Sequence, residues 1–184
     1  MNNRLLIIAT ILILFSWGCT NSRERYIKKT IGSELVIFVD SMTKVNNREL
    51  YYVEIEKPLK IVVYSDSTNC NACDIKFPLW KIRFRELTRE NNNIGLIFII
   101  NTEEIEDMEL NADAVKAPGL RLYDTKGVFK RKNDLFHERT FHVFLLDKEN
   151  KVIIVGNPIE NSNLYNLYKK AIEMYTDTDN KYNK

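Results

Sequence analysis

The stretch LKIVVYSDSTNCNACDIKFPLW, residues 59–80, decides the fold that the sequence predicts. Residues 59–65 form an apolar run rich in Val and Ile, which is typical of a strand buried on both faces. After the cysteines, apolar side chains recur at three- and four-residue steps as far as about Glu90, as they do on an amphipathic helix. Two cysteines, Cys70 and Cys73, stand between these patterns. The stretch therefore predicts a buried strand, a cysteine pair and a helix in direct succession.

The chain outside this stretch alternates between strand-like and helix-like patterns. Further strands are expected where β-branched and aromatic residues cluster between turn signals, at residues 34–39, 50–55, 94–100, 120–124, 141–147 and 151–156. Helical spacing predicts helices at residues 103–110 and 163–175, and residues 127–134 are expected to form a short helix or a loop. The alternation predicts an α/β fold, in which a mixed sheet has helices on both sides and an N-terminal strand pair comes first.

The N-terminus has the pattern of an export signal. Arg4 is followed by an apolar run over residues 5–15, which is shorter than the ~20 residues that span a bilayer. Gly18 directly precedes Cys19, an order that resembles the lipobox of bacterial lipoproteins, although the Ser-Trp pair before Gly18 departs from it. In that interpretation residues 1–18 are a lipoprotein signal peptide and Cys19 is the lipidated first residue. An ordinary signal peptide, or an uncleaved anchor with an incidental Cys19, is the alternative.

The other two cysteines form a C-x-x-C pair. If Cys19 is acylated, Cys70 and Cys73 are the only thiols of the mature chain. An exported protein works where thiols oxidise, and a structural disulfide framework needs more cysteines at wider spacing. A disulfide across two intervening residues closes too small a loop to stabilise a fold appreciably. The pair is therefore predicted to serve chemistry.

Length and composition are those of one globular domain. The chain has 184 residues, 45% of them hydrophobic, and a net charge of +2 that gives no indication of a nucleic-acid partner. We expect a polar tether over residues 19–33, one domain over residues 34–175 and a polar C-terminal tail over residues 176–184. The sequence contains no Gly-rich phosphate loop and no hydrolase motif of the G-x-S-x-G or H-E-x-x-H type.

The predicted position of the cysteines suits a reactive thiol. The first turn of a helix offers free backbone N–H groups and the positive end of the helix dipole, and both favour a thiolate. At such a site the pKa of the first cysteine falls below its usual ~8.5. Cys70 would then be the exposed nucleophile. Cys73, one helical turn on, would lie within reach to resolve a mixed disulfide.

Residues from about Glu34 to Tyr175 resemble the thioredoxin superfamily, in its TlpA-like and peroxiredoxin-like branch. The likeness rests on the C-x-x-C pair after a buried strand, on Pro78 at the place of a helix-kinking proline, and on a late strand–turn–strand with Leu-Asp at its turn. It implies a thioredoxin-like three-layer sandwich and a membrane-anchored thiol–disulfide oxidoreductase of the bacterial cell envelope, facing the periplasm or on the outer membrane. It also implies protein or peptide thiol and disulfide substrates, a redox partner that donates or accepts electrons, and no organic cofactor.

Three positions depart from the family's pattern. Asn69 stands where an aromatic residue usually precedes the first cysteine, and Tyr64 stands where thioredoxins keep a buried acid. Phe141 lies near the position of the family's cis-proline. Because a cis bond before a non-proline residue is costly, a trans peptide is expected there. The substrate groove is therefore expected to differ from the family's, and to be lined by Asn71, Ala72 and Phe141.

Other uses of the cysteine pair stay open. Cys70, Cys73, His137 and His142 follow the order of ligands in a zinc site, and a histidine before the hairpin also suits copper delivery. The histidines are more simply explained as surface or core residues, so no metal is predicted. A further alternative is a thioredoxin-fold binding module without general oxidoreductase activity. Asp66 could deprotonate Cys73, but a solvated loop aspartate is the simpler interpretation.

Overall fold

The computed structural model of the protein describes residues 21–37, 41–44, 53–66, 75–89 and 93–182. The α-helices in these ranges are α1 (Asn21–Thr30), α2 (Phe77–Thr88), α3 (Ile105–Ala114), α4 (Val128–Lys132) and α5 (Ser162–Tyr182). The strands are β1 (Thr43–Lys44), β2 (Leu59–Ser65), β3 (Ile94–Ile100), β4 (Leu120–Tyr123), β5 (Val143–Leu146) and β6 (Val152–Val155). A 3-10 helix, Arg139–Phe141, leads into β5.

The strands form one mixed sheet in the order β1-β4-β3-β2-β5-β6. Strand β2 pairs in parallel with β3 and antiparallel with β5, and β3 continues in parallel to β4. The apolar runs predicted as buried strands at residues 59–65 and 94–100 match β2 and β3 in both bounds. The predicted α/β class is therefore confirmed, and the strand that precedes the cysteines lies in the interior of the sheet.

Alternate side chains of the strands enter two separate cores. On β2, Leu59, Ile61 and Val63 face one core, while Val62 and Tyr64 face the other. Full burial of an aliphatic side chain stabilises the folded state by roughly 1.5–3 kcal/mol. Burial on both faces therefore explains why β2 is apolar along nearly its whole length.

Helices cover both faces of the sheet, as the three-layer prediction requires. The first core receives Trp80 of α2, Met108 of α3 and Tyr168 of α5. The second core receives Phe129 of α4, and Tyr26 of α1 packs against it. Among the described residues, none of the helices combines the length and the apolar character needed to cross a bilayer.

The N-terminal strand pair takes a different form from the one predicted. The described part of the second strand, residues 53–55, is a helical turn, and the described part of the first makes one bridge, from Glu34 to Lys151. The helical turn is stabilised from outside, because Glu54 Oε2 accepts a hydrogen bond from the backbone N–H of Leu96 at 2.7 Å. Strand β4 pairs with β3 only from Ile97 onward, so Glu54 satisfies a donor that the sheet leaves unpaired.

The predicted tether and tail are also more ordered than their composition indicates. Residues 21–30 of the predicted tether form helix α1, and its Tyr26 ring stacks on Phe136 with centroids 5.0 Å apart. The ion pairs of Arg23 with Glu138 and of Lys29 with Asp134 add to this contact, and composition does not reveal any of the three. Helix α5 continues to Tyr182, well into the predicted tail.

Candidate functional site

A cavity of ≈160 Å³ lies at the carboxyl end of β2. Its lining comes from the end of β2, the start of α2, the 3-10 helix with the start of β5, and the loop after β6. Asp66 and Ile75 both line it, and they flank residues 67–74 in the chain. Of the predicted site residues, Cys70, Asn71, Ala72 and Cys73 fall within that segment and, like Cys19, lie outside the described residues.

The start of α2 has a strained residue at its boundary. Lys76 has φ 56° and ψ 47°, a left-handed conformation that costs a non-glycine residue about 1–2 kcal/mol. Helix α2 then begins at Phe77, with Pro78 in its first turn, where a missing N–H costs no hydrogen bond. The Lys76 ammonium forms an ion pair with Glu160, which also lines the cavity. The left-handed residue thus stands between the segment that holds the cysteines and helix α2.

Asp66 is not the solvated loop residue that the sequence indicated. Its side chain is 13% exposed, and its Oδ2 accepts a hydrogen bond from Lys130 Nζ at 2.5 Å. Its Oδ1 lies 3.5 Å from an Arg139 guanidinium nitrogen. The ion pairs hold the mostly buried carboxylate at the cavity wall, and neither partner is a neighbour in sequence. For that reason local sequence reasoning missed both Lys130 and Arg139.

Tyr64 lines the cavity and also belongs to the second core, and the buried His142 lies beside it. The Tyr64 ring stacks on Phe129 at 5.4 Å and meets the His142 ring edge-on at 5.5 Å. Burial, reinforced by Asp66 and Asp124, raises the pKa of Tyr64, so its hydroxyl stays neutral. The position that holds a buried acid in thioredoxins therefore carries no charge here.

His142 is a buried neutral histidine. Its Nε2 lies 2.6 Å from the carbonyl oxygen of Phe136, and because a carbonyl only accepts, Nε2 carries the proton that it donates. Burial lowers the pKa of His142, and its Nδ1 has no hydrogen-bond partner among the described residues. His137, by contrast, is exposed, with its Nε2 3.7 Å from Glu138.

The described residues offer no cluster of ligands for the zinc or copper sites considered as alternatives. Among those residues, no set of three or more His, Cys, Asp or Glu side chains is arranged to hold a metal ion. Cys70 and Cys73 lie outside the described ranges, so a site that pairs them with a histidine stays an untested alternative to the prediction of no metal.

Thr140, rather than Phe141, lines the cavity. The Phe141 ring instead packs edge-on against Phe136 at 5.5 Å and Tyr26 at 6.1 Å. The described residues contain no cis peptide bond, which confirms the trans peptide expected before Phe141. Because residues 139–141 form a 3-10 helix, the strand begins at Val143 and not at Phe141 as predicted. The groove role of Phe141, Asn71 and Ala72 stays a prediction.

The cavity combines an apolar floor with a charged rim. Val63, Ile75 and Trp80 supply the apolar part, and Trp80 is fixed by its edge-on contact with Phe98 at 6.0 Å. The charged groups are the pair Lys76 and Glu160, together with Asp66 and Arg139. An apolar floor with a few polar groups around it is the usual composition of a site for a peptide or a small ligand.

Comparisons with known proteins agree on the fold. No family model matches the chain, and no curated protein matches it significantly. The thioredoxin domain of a thiol-disulfide oxidoreductase from Bacteroides vulgatus matches with a TM-score of 0.54 and 14% identity, over 77% of this chain and 97% of that one. A protein proposed to be the thiol:disulfide interchange protein DsbE from Chlorobium tepidum also gives a TM-score of 0.54 and 14% identity, over 77% and 96%.

A thioredoxin-like protein from Bacteroides caccae matches with a TM-score of 0.51 and 16% identity, over 78% of this chain but 49% of that one. The chain therefore spans about half the length of that protein. At sequence identities this low, the structural likeness establishes the fold alone. The predicted resemblance to the thioredoxin superfamily is confirmed at the level of the fold.

Proposed function

We propose that this chain, which has a thioredoxin-like fold, is a thiol–disulfide oxidoreductase of the bacterial cell envelope. One observation carries the proposal: the C-x-x-C segment at residues 67–74 is bounded by Asp66 and Ile75, and both of these line the cavity. Two matching structures are named for thiol–disulfide chemistry, which supports the same reaction class.

The proposed reaction is a two-step exchange. The Cys70 thiolate attacks one sulfur of a substrate disulfide, forms a mixed disulfide and releases the other substrate sulfur as a thiolate. The Cys73 thiolate then attacks the Cys70 sulfur, which releases the second substrate thiolate and leaves a Cys70–Cys73 disulfide. Each substrate thiolate takes a proton, and two electrons have passed from the protein to the substrate. A redox partner restores the dithiol, and the reverse sequence oxidises a substrate dithiol.

Charges near the cavity support a reactive thiolate. Lys76 and Arg139 both line the cavity, and a cation within a few ångströms lowers the pKa of a thiol. Their paired acids, Glu160 and Asp66, offset part of this effect.

In the proposal, Thr140 takes the groove position that the sequence assigned to Phe141, beside Asn71 and Ala72.

The proposal includes membrane attachment through an acylated Cys19. Its support is the lipobox-like order Gly18-Cys19 after a short apolar run. Substrates would then be protein or peptide thiols and disulfides outside the cytoplasm, where disulfides persist. Replacing Cys19 by Ala should shift the protein from the membrane fraction of its host, and normal processing with unchanged fractionation would contradict the anchor.

The reaction is tested with the two cysteine variants. Cys70→Ser should abolish reduction of insulin and oxidation of a reduced peptide, whereas Cys73→Ser should accumulate a mixed disulfide because the resolving thiol is gone. Cys70 should alkylate at a pH well below the ~8.5 at which an ordinary cysteine ionises. Lys169→Ser, on the exposed side of α5, is the control and should behave as the unchanged protein. If both cysteines alkylate equally and no exchange occurs in either direction, a binding module takes the place of the enzyme.

A further inference from the structure

Helix α1 is fixed to the domain next to the cavity. Its Tyr26 stacks on Phe136, and its Arg23 Nε donates a hydrogen bond to Glu138 Oε1 at 2.8 Å. Glu138 directly precedes Arg139, which lines the cavity. A chain of direct contacts therefore sets the position of α1 relative to the cavity.

The side of α1 that faces away from Tyr26 is basic. Successive residues of an α-helix are turned by about 100°, which places Lys28 about 160° and Arg25 about 100° around the helix from Tyr26. Both are exposed, and so is Lys29. Lys28 pairs with Glu24 of the same helix, but the ten residues of α1 contain four basic side chains and one acidic side chain. A net positive charge therefore remains on the outward side.

Helix α4 extends this positive charge. The residues after α4 contact both α1 and the segment that follows α1. Asp134 pairs with Lys29 of α1 at 2.9 Å, and Asn133 accepts a hydrogen bond from the backbone N–H of Val36 at 2.8 Å. Three more exposed basic residues lie on α4 and the turn before it. We define the basic surface as Arg25, Lys28, Lys29, Lys126, Arg131 and Lys132.

The charge is concentrated in this part of the molecule. Residues 21–30 and 126–139 contain nine Lys and Arg against three Asp and Glu, whereas the whole chain contains 27 against 25. The remainder of the chain therefore has 18 basic and 22 acidic residues and is net negative. A positive surface on an otherwise acidic protein orients the molecule toward an anionic partner.

We propose that the basic surface docks on the anionic lipid headgroups of the membrane that carries the protein. The inference rests on the proposed acylation of Cys19, which stands two positions before the first residue of α1. Two residues reach at most ~7 Å, so an acylated Cys19 would bring α1 within a Debye length of the headgroups. At that distance each Lys or Arg strengthens binding to an anionic surface by about fivefold.

Docking determines which substrates reach the cavity. A long polar tether would let the domain sample the whole compartment, but α1 packs on the domain and leaves little free chain between it and Cys19. The helix that carries part of the basic surface is bonded through Arg23 to Glu138, and Arg139, the next residue in the chain, lines the cavity. Thiols and disulfides of proteins attached to the same membrane are therefore the substrate class of this site.

The test uses the full-length acylated protein reconstituted into vesicles. Lysines are acetylated with a water-soluble reagent and quantified by mass spectrometry, in vesicles of phosphatidylglycerol and in vesicles of phosphatidylcholine. Lys28 and Lys132 should label at least about threefold more slowly on phosphatidylglycerol, and high salt should remove the difference. Lys169, on α5 and outside the basic surface, should label equally in both lipids.

A charge-reversal variant decides whether the basic surface is responsible. Arg25→Glu with Lys28→Glu and Lys132→Glu should lose the lipid-dependent difference in labelling at Lys126, while the protein stays anchored. Arg85→Glu with Lys169→Glu and Lys170→Glu makes the same change in net charge on other helices and should keep it. Anchored protein that labels equally in both lipids, or protection that persists in high salt, overturns the inference alone. Protein that fails to associate with either vesicle overturns the anchor as well, and disulfide exchange measured on the same sample tests the enzyme independently.

Discussion

Asp66 and Lys130 connect the end of β2 to helix α4, with Asp66 Oδ2 2.5 Å from Lys130 Nζ. Arg139 of the 3-10 helix approaches the other carboxylate oxygen at 3.5 Å. One side chain thus joins three elements that are far apart in sequence. Residue 67, the first of the segment that carries the cysteines, follows Asp66 directly in the chain.

Removing the Asp66 charge should weaken the fold measurably. Asp66→Asn keeps the shape of the side chain but loses two charged partners, and we expect the free energy of unfolding to fall by about 1–2 kcal/mol, since both partners are partly exposed. Asp113→Asn is the matched control, because Asp113 pairs with Arg121 at 3.1 Å but its side chain is 74% exposed. Urea denaturation measures both variants, and an equal loss in the two would contradict a special role for Asp66.

Stability should depend on pH through His142. Burial lowers the pKa of this histidine below its usual 6.5, against a smaller opposing effect of its hydrogen bond to Phe136. Below about pH 6.5 the unfolded chain therefore binds a proton that the folded chain excludes, and the free energy of unfolding falls by up to about 1.4 kcal/mol per pH unit. The loss ends at the lowered pKa of the folded state.

Two histidine variants isolate this effect. Chemical denaturation between about pH 5 and pH 7.5 should show a shallower pH dependence for His142→Gln than for the unchanged protein. His137→Gln, at an exposed position, is the control for the loss of an imidazole. A slope that survives in His142→Gln would assign the pH dependence to other groups.

Removing one partner of the buried ion pair between Glu109 and Arg121 should destabilise the fold more than replacing both partners by apolar residues. Arg121 Nε and one terminal nitrogen each donate to Glu109 at 2.7 Å, and Tyr123 also donates to the carboxylate. Burial opposes the charge of Glu109, but these hydrogen bonds outweigh it and lower the pKa. The carboxylate thus contributes stability above pH ~4.5 that is lost as the pH falls through its lowered pKa.

A double-mutant cycle tests this pair. Arg121→Met alone leaves a buried, uncompensated carboxylate, and we expect it to lower the free energy of unfolding by about 3 kcal/mol. Arg121→Met combined with Glu109→Leu should cost less than either single change, because no charge is then left buried. A double variant whose loss equals the sum of the two single losses would show that the residues do not interact.

Alanine substitutions at Gly119 and Gly32 should distinguish the cost of backbone strain from the cost of a steric clash. Both have positive φ, +84° and +80°, but a Cβ on Gly119 would lie 2.4 Å from the Leu96 carbonyl oxygen, whereas Gly32 has nothing within 4 Å. Gly32→Ala should lower the free energy of unfolding by about 1 kcal/mol through strain alone. Gly119→Ala adds a clash with the backbone of β3 and should cost about 3 kcal/mol. Equal losses in denaturation experiments would mean that β3 moves aside without cost.

Filling the cavity should slow exchange with large substrates. Thr140→Trp places a bulky ring against the apolar floor, so insulin reduction should fall at least about tenfold if the cavity receives the substrate. Alkylation of Cys70 by a small reagent and the free energy of unfolding should change little. Lys169→Trp, on α5, is the control for added aromatic surface. Unchanged insulin reduction in Thr140→Trp would place the substrate elsewhere.

The local sequence pattern was sufficient to predict the central strands and most of the helices. Residues 59–65 and 94–100 became β2 and β3 with the predicted bounds, and the hairpin strands differ by one or two residues at each end. A strand buried on both faces needs apolar residues at nearly every position, and that requirement is visible in chain order without knowledge of the partners. The position of the cysteine pair between β2 and α2 follows from the same pattern.

Contacts between distant residues decided what the pattern could not. Residues 53–55 resemble a strand, yet they form a helical turn because Glu54 bonds to Leu96. Residues 21–30 have the composition of a tether, yet they dock because Tyr26 meets Phe136. In both cases local preferences are weak, so tertiary contacts select the conformation, and for residues 21–30 these include the ion pairs of Arg23 and Lys29.

Three features can be read from the sequence alone, because each depends on residues that are near one another in the chain: the alternation of strands and helices, the resemblance to thioredoxins, and the chain position of Cys70 and Cys73. Only the tertiary structure decided that Thr140 lines the cavity and that Asp66 is held by Lys130 and Arg139. Those relationships join residues more than 60 positions apart, and they arise when sheet formation brings separate loops to one edge.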